Sequence, residues 1–270
     1  MTDSRFWDDA NVYDIATRAY TDDVEFWKGL LDERRPRRVL ELACGTGRIA
    51  LPLVQKGRTI HPDFQFVGLD RSVEFLARAR ERLASLPPEL ADQAAFAEGD
   101  MRSFALNTTF DLIILAYTSF SFLFNIDDQL ACLNAIRHHL APGGWFVLDL
   151  HMPPLDLLVQ ARTDTFPALR QDLHLLKPEA GISRVTSAFV TTSYDASTQT
   201  EKTTHFIEIF YDDGRHESHP YDITWHHFFP RELELLMRMS GLRVAERYGS
   251  YDRAPFSDAS HQYVWAMEAV

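Results

Sequence analysis

The sequence predicts an α/β protein, a doubly wound, mostly parallel sheet of seven strands with an antiparallel β insertion after the fifth strand. Three observations carry this reading. Short apolar runs alternate with amphipathic ones from residue 38 to residue 151, the rhythm of parallel strands covered by helices on both faces. After residue 151 come longer, more polar stretches with turn signals between them, such as Asp213-Gly214, and these read as hairpins. From Pro230 onward a helix and two further strands complete the sheet.

Each element has a local cause. Asp22, with Glu25 three residues on, supplies a capping pair for the helix "VEFWKGLLDE". The first strand, 38–43, lies in "VLELACGTGRIALPL" and stops at Gly45 and Gly47; the chain then resumes as an apolar helix to about Gln55. Glycines at such a turn permit positive φ and close approach of another molecule to the backbone. The first amides of the helix point at whatever sits there. "FQFVGLD" is a second strand ending at Asp70, and "RSVEFLARARERLASL" is a helix with Leu76, Ala79, Leu83 and Leu86 on one face. "AAFAEGD" is a short third strand ending near Asp100. "FDLIILAY" is apolar on both faces and therefore central. "IDDQLACLNAIRHHL" is a helix that "APGG" stops, and "WFVLDLH" is the fifth strand, ending at His151. "SRVTSAFVTTSYD", "TEKTTHFIEIFY" and "YDITWHHFF" form a three-stranded antiparallel insertion. "RELELLMRMS" is then a helix, and "LRVAERY" and "QYVWAMEA" are the last strands.

Composition narrows the function classes. A chain of 270 residues, 46% of them hydrophobic, can bury a sizeable core. No apolar run approaches the roughly 18 residues of a membrane helix, and from the acidic, polar start no secretory signal is expected. Cys44 and Cys132 make no disulfide framework, so a cytoplasmic setting is expected. Lys and Arg number 27 against 39 Asp and Glu, a net charge of −12. Such a field repels phosphate backbones, so neither nucleic acid nor membrane is expected as a partner, and the chain is expected to act as a monomer or homodimer.

In "VLELACGTGRIALPL", followed in order by "FVGLDRS", "AEGDMRSF", "FDLIILAYTSF" and "IRHHLAPGGWFVLDL", the chain resembles the class I S-adenosylmethionine-dependent methyltransferases. The resemblance covers residues 38–151, and the closing helix and strands at 230–268 continue it. It implies a Rossmann-like sheet binding S-adenosylmethionine across the carboxyl ends of the first three strands. Glu41 would answer the cationic end of the cofactor, directly or through water. Ala43, Gly45, Thr46 and Gly47 would form the turn beside it. Asp70 would accept both ribose hydroxyls, with Arg71 next to it. Asp100 would accept from the adenine amine, and the Met101 amide would donate to a ring nitrogen. The organisation expected is one domain over 1–270: a helical lid at 1–37, a cofactor-binding core at 38–151, a substrate-covering insert at 152–229 and completion of the core at 230–270.

The reaction needs little chemistry from the protein, because the transferred methyl is already activated. Alignment and exclusion of water do most of the work, and an acceptor bearing a proton needs a base. His151, at the end of the fifth strand, is the candidate base, and Tyr117, ending the fourth, is a candidate for the pocket wall. "YDIATRAYTDD" resembles the lid of small-molecule methyltransferases, with Tyr13 and Tyr20 seven apart on one helical face; Tyr13 is the catalytic candidate and Tyr20 the cofactor-binding one. "AYTSFSFL" looks loosely like the matching part of glycine and sugar-amine N-methyltransferases, and no Asn-Pro-Pro-Tyr element marks a nucleobase enzyme. Together these point to a small-molecule acceptor, methylated on nitrogen in preference to oxygen. No metal is expected. His226 and His227 are adjacent on a strand and point to opposite faces, although one of them could face substrate. Two other classes remain: a methyltransferase fold used as a non-catalytic binding module, and a nicotinamide oxidoreductase reading "GTGRIA" as a dinucleotide turn.

Overall fold

The structure, a computed structural model, describes residues 9–17, 20–163, 169–170 and 181–270. In chain order its elements begin with helices α1 (Ala10–Thr17) and α2 (Asp22–Arg34), then strand β1 (Arg38–Leu42), α3 (Ala50–Ile60) and β2 (Gln65–Asp70). Next come α4 (Val73–Ala84), α5 (Pro88–Ala91), β3 (Ala94–Glu98), β4 (Phe110–Leu115), a 3-10 turn at Ser119–Phe122, α6 (Ile126–His139) and β5 (Leu140–His151). The chain continues with α7 (Leu155–Thr163), β6 (Leu169–Arg170), β7 (Ile182–Asp195), β8 (Thr200–Tyr211) and β9 (His216–His226). It ends with α8 (Pro230–Met239), β10 (Leu242–Tyr248) and β11 (Gln262–Ala269).

Asp22–Met152 and Phe228–Val270 make one unit. Its sheet has seven strands in the order β10-β11-β5-β4-β1-β2-β3, with β11 antiparallel to both β10 and β5 and the other pairings parallel. The fold class expected from the sequence is the one found. Apolar side chains alternate between two core layers, as the period of two requires. Val39, Leu112, Ile114 and Val147 join Trp27, Leu31, Ala50 and Leu53 in one layer, while Leu40, Leu42, Ile113, Phe146 and Leu148 join Leu133, Ile136 and Leu233 in the other. By the same alternation Glu41 and Asp149 fall on the face that carries α2 and α3. Helix α3 runs past Gln55 to Ile60, through Gly57. A Cβ there would meet the Phe64 ring at 2.5 Å, so the glycine serves close packing and does not end the helix.

The described residues between Met1 and Thr21 and between Pro153 and His227 make the second unit. Its sheet has the order β6-β7-β8-β9 and is antiparallel throughout, with Phe189, His205 and Tyr221 side by side across three strands. The sequence showed three of these strands; β6, two residues long, is too short to leave a pattern. The expected boundaries also shift. The lid at 1–37 divides at Asp22, because α2 packs its Phe26, Trp27, Leu30 and Leu31 into the core layer of the seven-stranded unit. The insert closes at His227 and not at residue 229, because Phe228 is buried and stacks on Phe120 with centroids 4.8 Å apart.

Candidate active site

Strand β1 ends where the chain must reverse toward α3. Ala43, Gly45 and Gly47 all take positive φ, at 53°, 55° and 78°. Cys44 N–H extends the β2 pairing by donating to Leu69 O (3.1 Å), and Gly47 N–H closes the turn on Cys44 O (3.0 Å). Asp70, the last residue of β2, ties this turn to the head of α4. Its Oδ2 accepts from Gly45 N at 2.8 Å and its Oδ1 from Ser72 N at 2.8 Å. Burial pushes the Asp70 carboxyl up, and the bonds from Ser72 and Gly45, with Arg71, oppose that. Each oxygen retains a second lone pair, so the carboxylate can still accept a pair of hydroxyls. Thr46 is buried and turned toward α4, where its carbonyl and hydroxyl accept from Arg82 Nη1 at 3.1 and 3.2 Å. Arg71 is exposed.

Beside the turn lies a buried acidic group. Glu41 is 3% exposed, and its Oε2 accepts no hydrogen bond. Its pKa is pushed up to about 8, by burial first and by Asp23 and Asp70, with Arg48 opposing. Arg48 makes a two-pronged pair with the fully buried Asp23, Nη1 to Oδ1 at 2.7 Å and Nη2 to Oδ2 at 2.8 Å, and Asp23 also accepts from Trp27 Nε1 at 3.3 Å. The same guanidinium lies 5.2 Å from the centre of the Tyr117 ring. Tyr117 follows β4, and burial raises its phenol. Tyr117 and Thr118 are consecutive non-glycine residues in the left-handed region, φ 56° and 60°, a conformation costing roughly 1–2 kcal/mol per residue. The buried Asp149 of β5 accepts from both their amides, at 2.8 and 3.2 Å. Burial pushes Asp149 up to about 7, against the bonds from Tyr117, Thr118 and the Tyr251 side chain.

Asp100 follows β3. Arg102 grips its carboxylate, with Nε at 2.9 and 3.0 Å and Nη2 at 2.6 Å, and reaches Asp128 of α6 at 3.0 Å through Nη1. The Arg102 side chain holds Asp100 below the usual carboxylate range. Met101 is half-buried against the core. His151 ends β5 exposed, in register with Gln262 of β11. The seven-stranded unit thus gathers Glu41, Ala43, Gly45, Thr46, Gly47, Asp70 and Arg71 around one turn, with Asp100 and Met101 after β3, Tyr117 after β4 and His151 at the end of β5.

Tyr13 and Tyr20 belong to the other unit. Tyr13 is buried in α1, where its carbonyl accepts from the Thr17 hydroxyl at 2.9 Å. Helix α1 ends at Thr17, so the described residues do not carry one continuous helix from Tyr13 to Tyr20; residues 18–19 of that expected face lie outside the described residues, as do residues 1–8 of the expected lid. His226 ends β9 and its Nδ1 meets Thr198 O at 3.1 Å, while His227 Nε2 meets Glu201 Oε2 at 2.7 Å. Burial pushes His205 down to about 4, so it is neutral where it stacks between Phe189 and Tyr221. Among the described residues no group of three or more His, Cys, Asp or Glu could hold a metal ion.

Sequence reasoning missed Asp23, Asp149 and Arg102. A buried carboxylate needs partners, so Asp149 inside the apolar run "WFVLDL" was a usable signal. Nothing local announced Asp23 as the partner of Arg48.

Comparison with known proteins follows the same residues. Residues 39–144 match the family model described as "Methyltransferase domain". The chain is similar to the putative methyltransferase YqeM of Bacillus subtilis, 31% identical over 145 residues, 53% of each protein, so the match spans about half of that relative. It is 27% identical to the cypemycin N-terminal methyltransferase of a Streptomyces species over 241 residues, 86% of this chain and 83% of that one. Among solved structures, the CcbJ methyltransferase of Streptomyces caelestis superposes with a TM-score of 0.72 at 24% identity, covering 92% of this chain and 90% of the other.

Proposed function

Because this chain belongs to the class I S-adenosylmethionine-dependent methyltransferases, we propose that it methylates an amine on a small molecule or a peptide, using S-adenosylmethionine as donor. The observation that carries the reading is the pairing of a glycine turn with two acids. Asp70 bonds the Gly45 amide at 2.8 Å, and beside it Glu41 holds a buried oxygen that accepts no hydrogen bond. An orphaned buried carboxylate is costly and fits a cationic ligand end. The lone pairs left on Asp70 suit two ribose hydroxyls.

When bound, the cofactor supplies an electrophilic methyl on a sulfonium. The chain's own tasks are to hold the donor, orient the acceptor, exclude water and receive a proton. In this reading Glu41, Asp70 and the turn of Ala43, Gly45, Thr46 and Gly47 hold the donor. Asp100 holds the adenine amine through the lone pairs that Arg102 leaves, Met101 meets the ring beside it, and Tyr117 forms a wall of the pocket. His151 takes the acceptor's proton, since an imidazole titrates near neutrality. Tyr13 and Tyr20 keep their expected roles, catalytic and cofactor-binding, and the insert at 152–229 serves acceptor selection. Nitrogen is favoured over oxygen by the likeness of "AYTSFSFL" to amine methyltransferases and by the amino-terminal substrate named for the cypemycin enzyme.

The test has two stages. Calorimetry should give saturable binding of S-adenosylmethionine and S-adenosylhomocysteine, and none of NAD. A panel of amines, amino sugars, short peptides and their hydroxyl counterparts, read by S-adenosylhomocysteine release, should then show turnover on amines. Saturable NAD binding without S-adenosylmethionine binding would overturn the reading. Cofactor binding with no turnover anywhere on the panel would favour a binding module.

A further inference from the structure

Between β1 and β4 the chain connections diverge. The turn after β1 leads to β2 on one side, while β4 pairs β1 on the other, with Leu42 opposite Leu115. The crevice beyond the carboxyl ends of such a pair is where open α/β sheets take their ligands. One wall of it is the glycine turn. The other is Ala116 to Ser119, and its backbone is unusual.

Two successive left-handed residues without glycine do not persist unless the surroundings over-determine them. Here the surroundings are specific. Asp149 lies on β5, the next strand out, on the face shared with Glu41 and α2. It offers one oxygen to Tyr117 N (2.8 Å) and the other to Thr118 N (3.2 Å). Ala116 O, just before the pair, takes the Ser119 hydroxyl at 2.7 Å, and Thr118 O takes Ser121 N at 2.9 Å. Arg48, on the opposite wall, lies over the Tyr117 ring at 5.2 Å. A carboxylate is needed because both partners are donors; an amide in its place would turn an NH₂ toward one of them.

We propose that Asp149 is a positioning residue for cofactor binding: by fixing the Tyr117 and Thr118 amides it shapes the β4 wall of the crevice and sets where Tyr117 stands against the glycine turn. The inference rests on the cofactor reading above. Asp149 acts through the backbone it pins, and it touches neither the donor nor the acceptor.

The test uses the full chain, S-adenosylhomocysteine as probe, and two readouts. Asp149→Ala removes the bonds from both amides and the one from the Tyr251 side chain; the loss of the two amide bonds should weaken S-adenosylhomocysteine binding roughly tenfold or more and speed hydrogen exchange at the Tyr117 and Thr118 amides. Asp149→Asn, which keeps the shape, should fall between Ala and the parent, and it carries the test if the Ala variant does not fold. Thr118→Gly added to either variant should recover a large part of the lost affinity, since glycine holds positive φ without help. A merely structural role would lower the melting temperature and leave the affinity of the folded protein unchanged, with no glycine rescue. A folded Asp149 variant with parental affinity overturns the proposal, as does one whose lost affinity Thr118→Gly leaves unrestored. A parent protein that binds no S-adenosylhomocysteine refutes the cofactor reading instead, and exchange at the two amides still tests whether Asp149 pins them.

Discussion

Replacing Glu41 by glutamine should move stability and ligand binding by separately calculable amounts. In the folded chain Glu41 is buried and its pKa stands at about 8, against 4.5 for the ordinary side chain. A folded pKa raised above the unfolded one means that the native state keeps a proton that the unfolded state has released. Stability from this group is therefore full below about pH 4.5 and is lost progressively as pH rises through about 8. Inside that window the slope is about 1.4 kcal/mol per pH unit, so the burden at pH 7 is on the order of 3 kcal/mol. Glutamine does not titrate. Its buried amide has a cost of its own, but one that does not change with pH. The stability difference, parent minus Glu41→Gln, should therefore fall by about 1.4 kcal/mol for each unit between pH 5 and pH 8. Asp149, also raised, titrates in both proteins and drops out of the subtraction.

Binding should move the other way. A hydrogen bond to a charged group contributes about 1.5–3 kcal/mol, so the variant should bind S-adenosylmethionine and S-adenosylhomocysteine roughly ten- to a hundredfold more weakly. Binding a cationic ligand end draws Glu41 to its ionised form, so the parent should release a proton on binding near pH 7 and the variant should release less. Urea denaturation at four pH values gives the first quantity. Calorimetry in two buffers of different ionisation enthalpy gives the others. Parallel stability curves for the two proteins, or equal dissociation constants, would refute the assignment of Glu41 as a buried acid kept for the ligand.

Three more outcomes follow from the same geometry. Asp70→Ala should lower cofactor affinity about ten- to a hundredfold, because the turn and the ribose lose one shared acceptor; an unchanged constant in folded protein would remove Asp70 from the site. Arg48→Met leaves Asp23 buried without its cation and should cost about 3–5 kcal/mol in urea unfolding, most of which Asp23→Asn in the same chain should restore; a loss under about 1 kcal/mol would show the pair to be incidental. His151→Ala should slow single turnovers on an identified amine by about 10²–10⁴ and flatten the pH profile, with S-adenosylhomocysteine binding unchanged; a parental rate and profile would make His151 structural.

What the sequence disclosed depended on how far apart the cooperating residues lie. The glycine turn could be read because its causes are adjacent: apolar strand, Gly45, Gly47 and apolar helix follow one another, and Asp70 ends the next strand in the same unit of pattern. The two core layers could be read because strand alternation is local. The Asp23–Arg48 pair joins residues 25 apart, and nothing in the sequence of α2 distinguishes Asp23 from Asp22, which is exposed. Helix α3 outran its expected end because Gly57 answers to the Phe64 ring, a contact that spacing does not express. Asp149 is the sharpest case. Its place in an apolar strand shows that a carboxylate is buried, and burial requires hydrogen-bond donors. Its donors include two backbone amides 32 and 31 residues away, and a backbone amide has no letter in the sequence. Only the left-handed turn at Tyr117 and Thr118 reveals them, at a place where neither residue type would suggest one. Sequence could thus show that Asp149 needed a partner, whereas the purpose of that partner became visible only once the chain had brought β4 and β5 side by side.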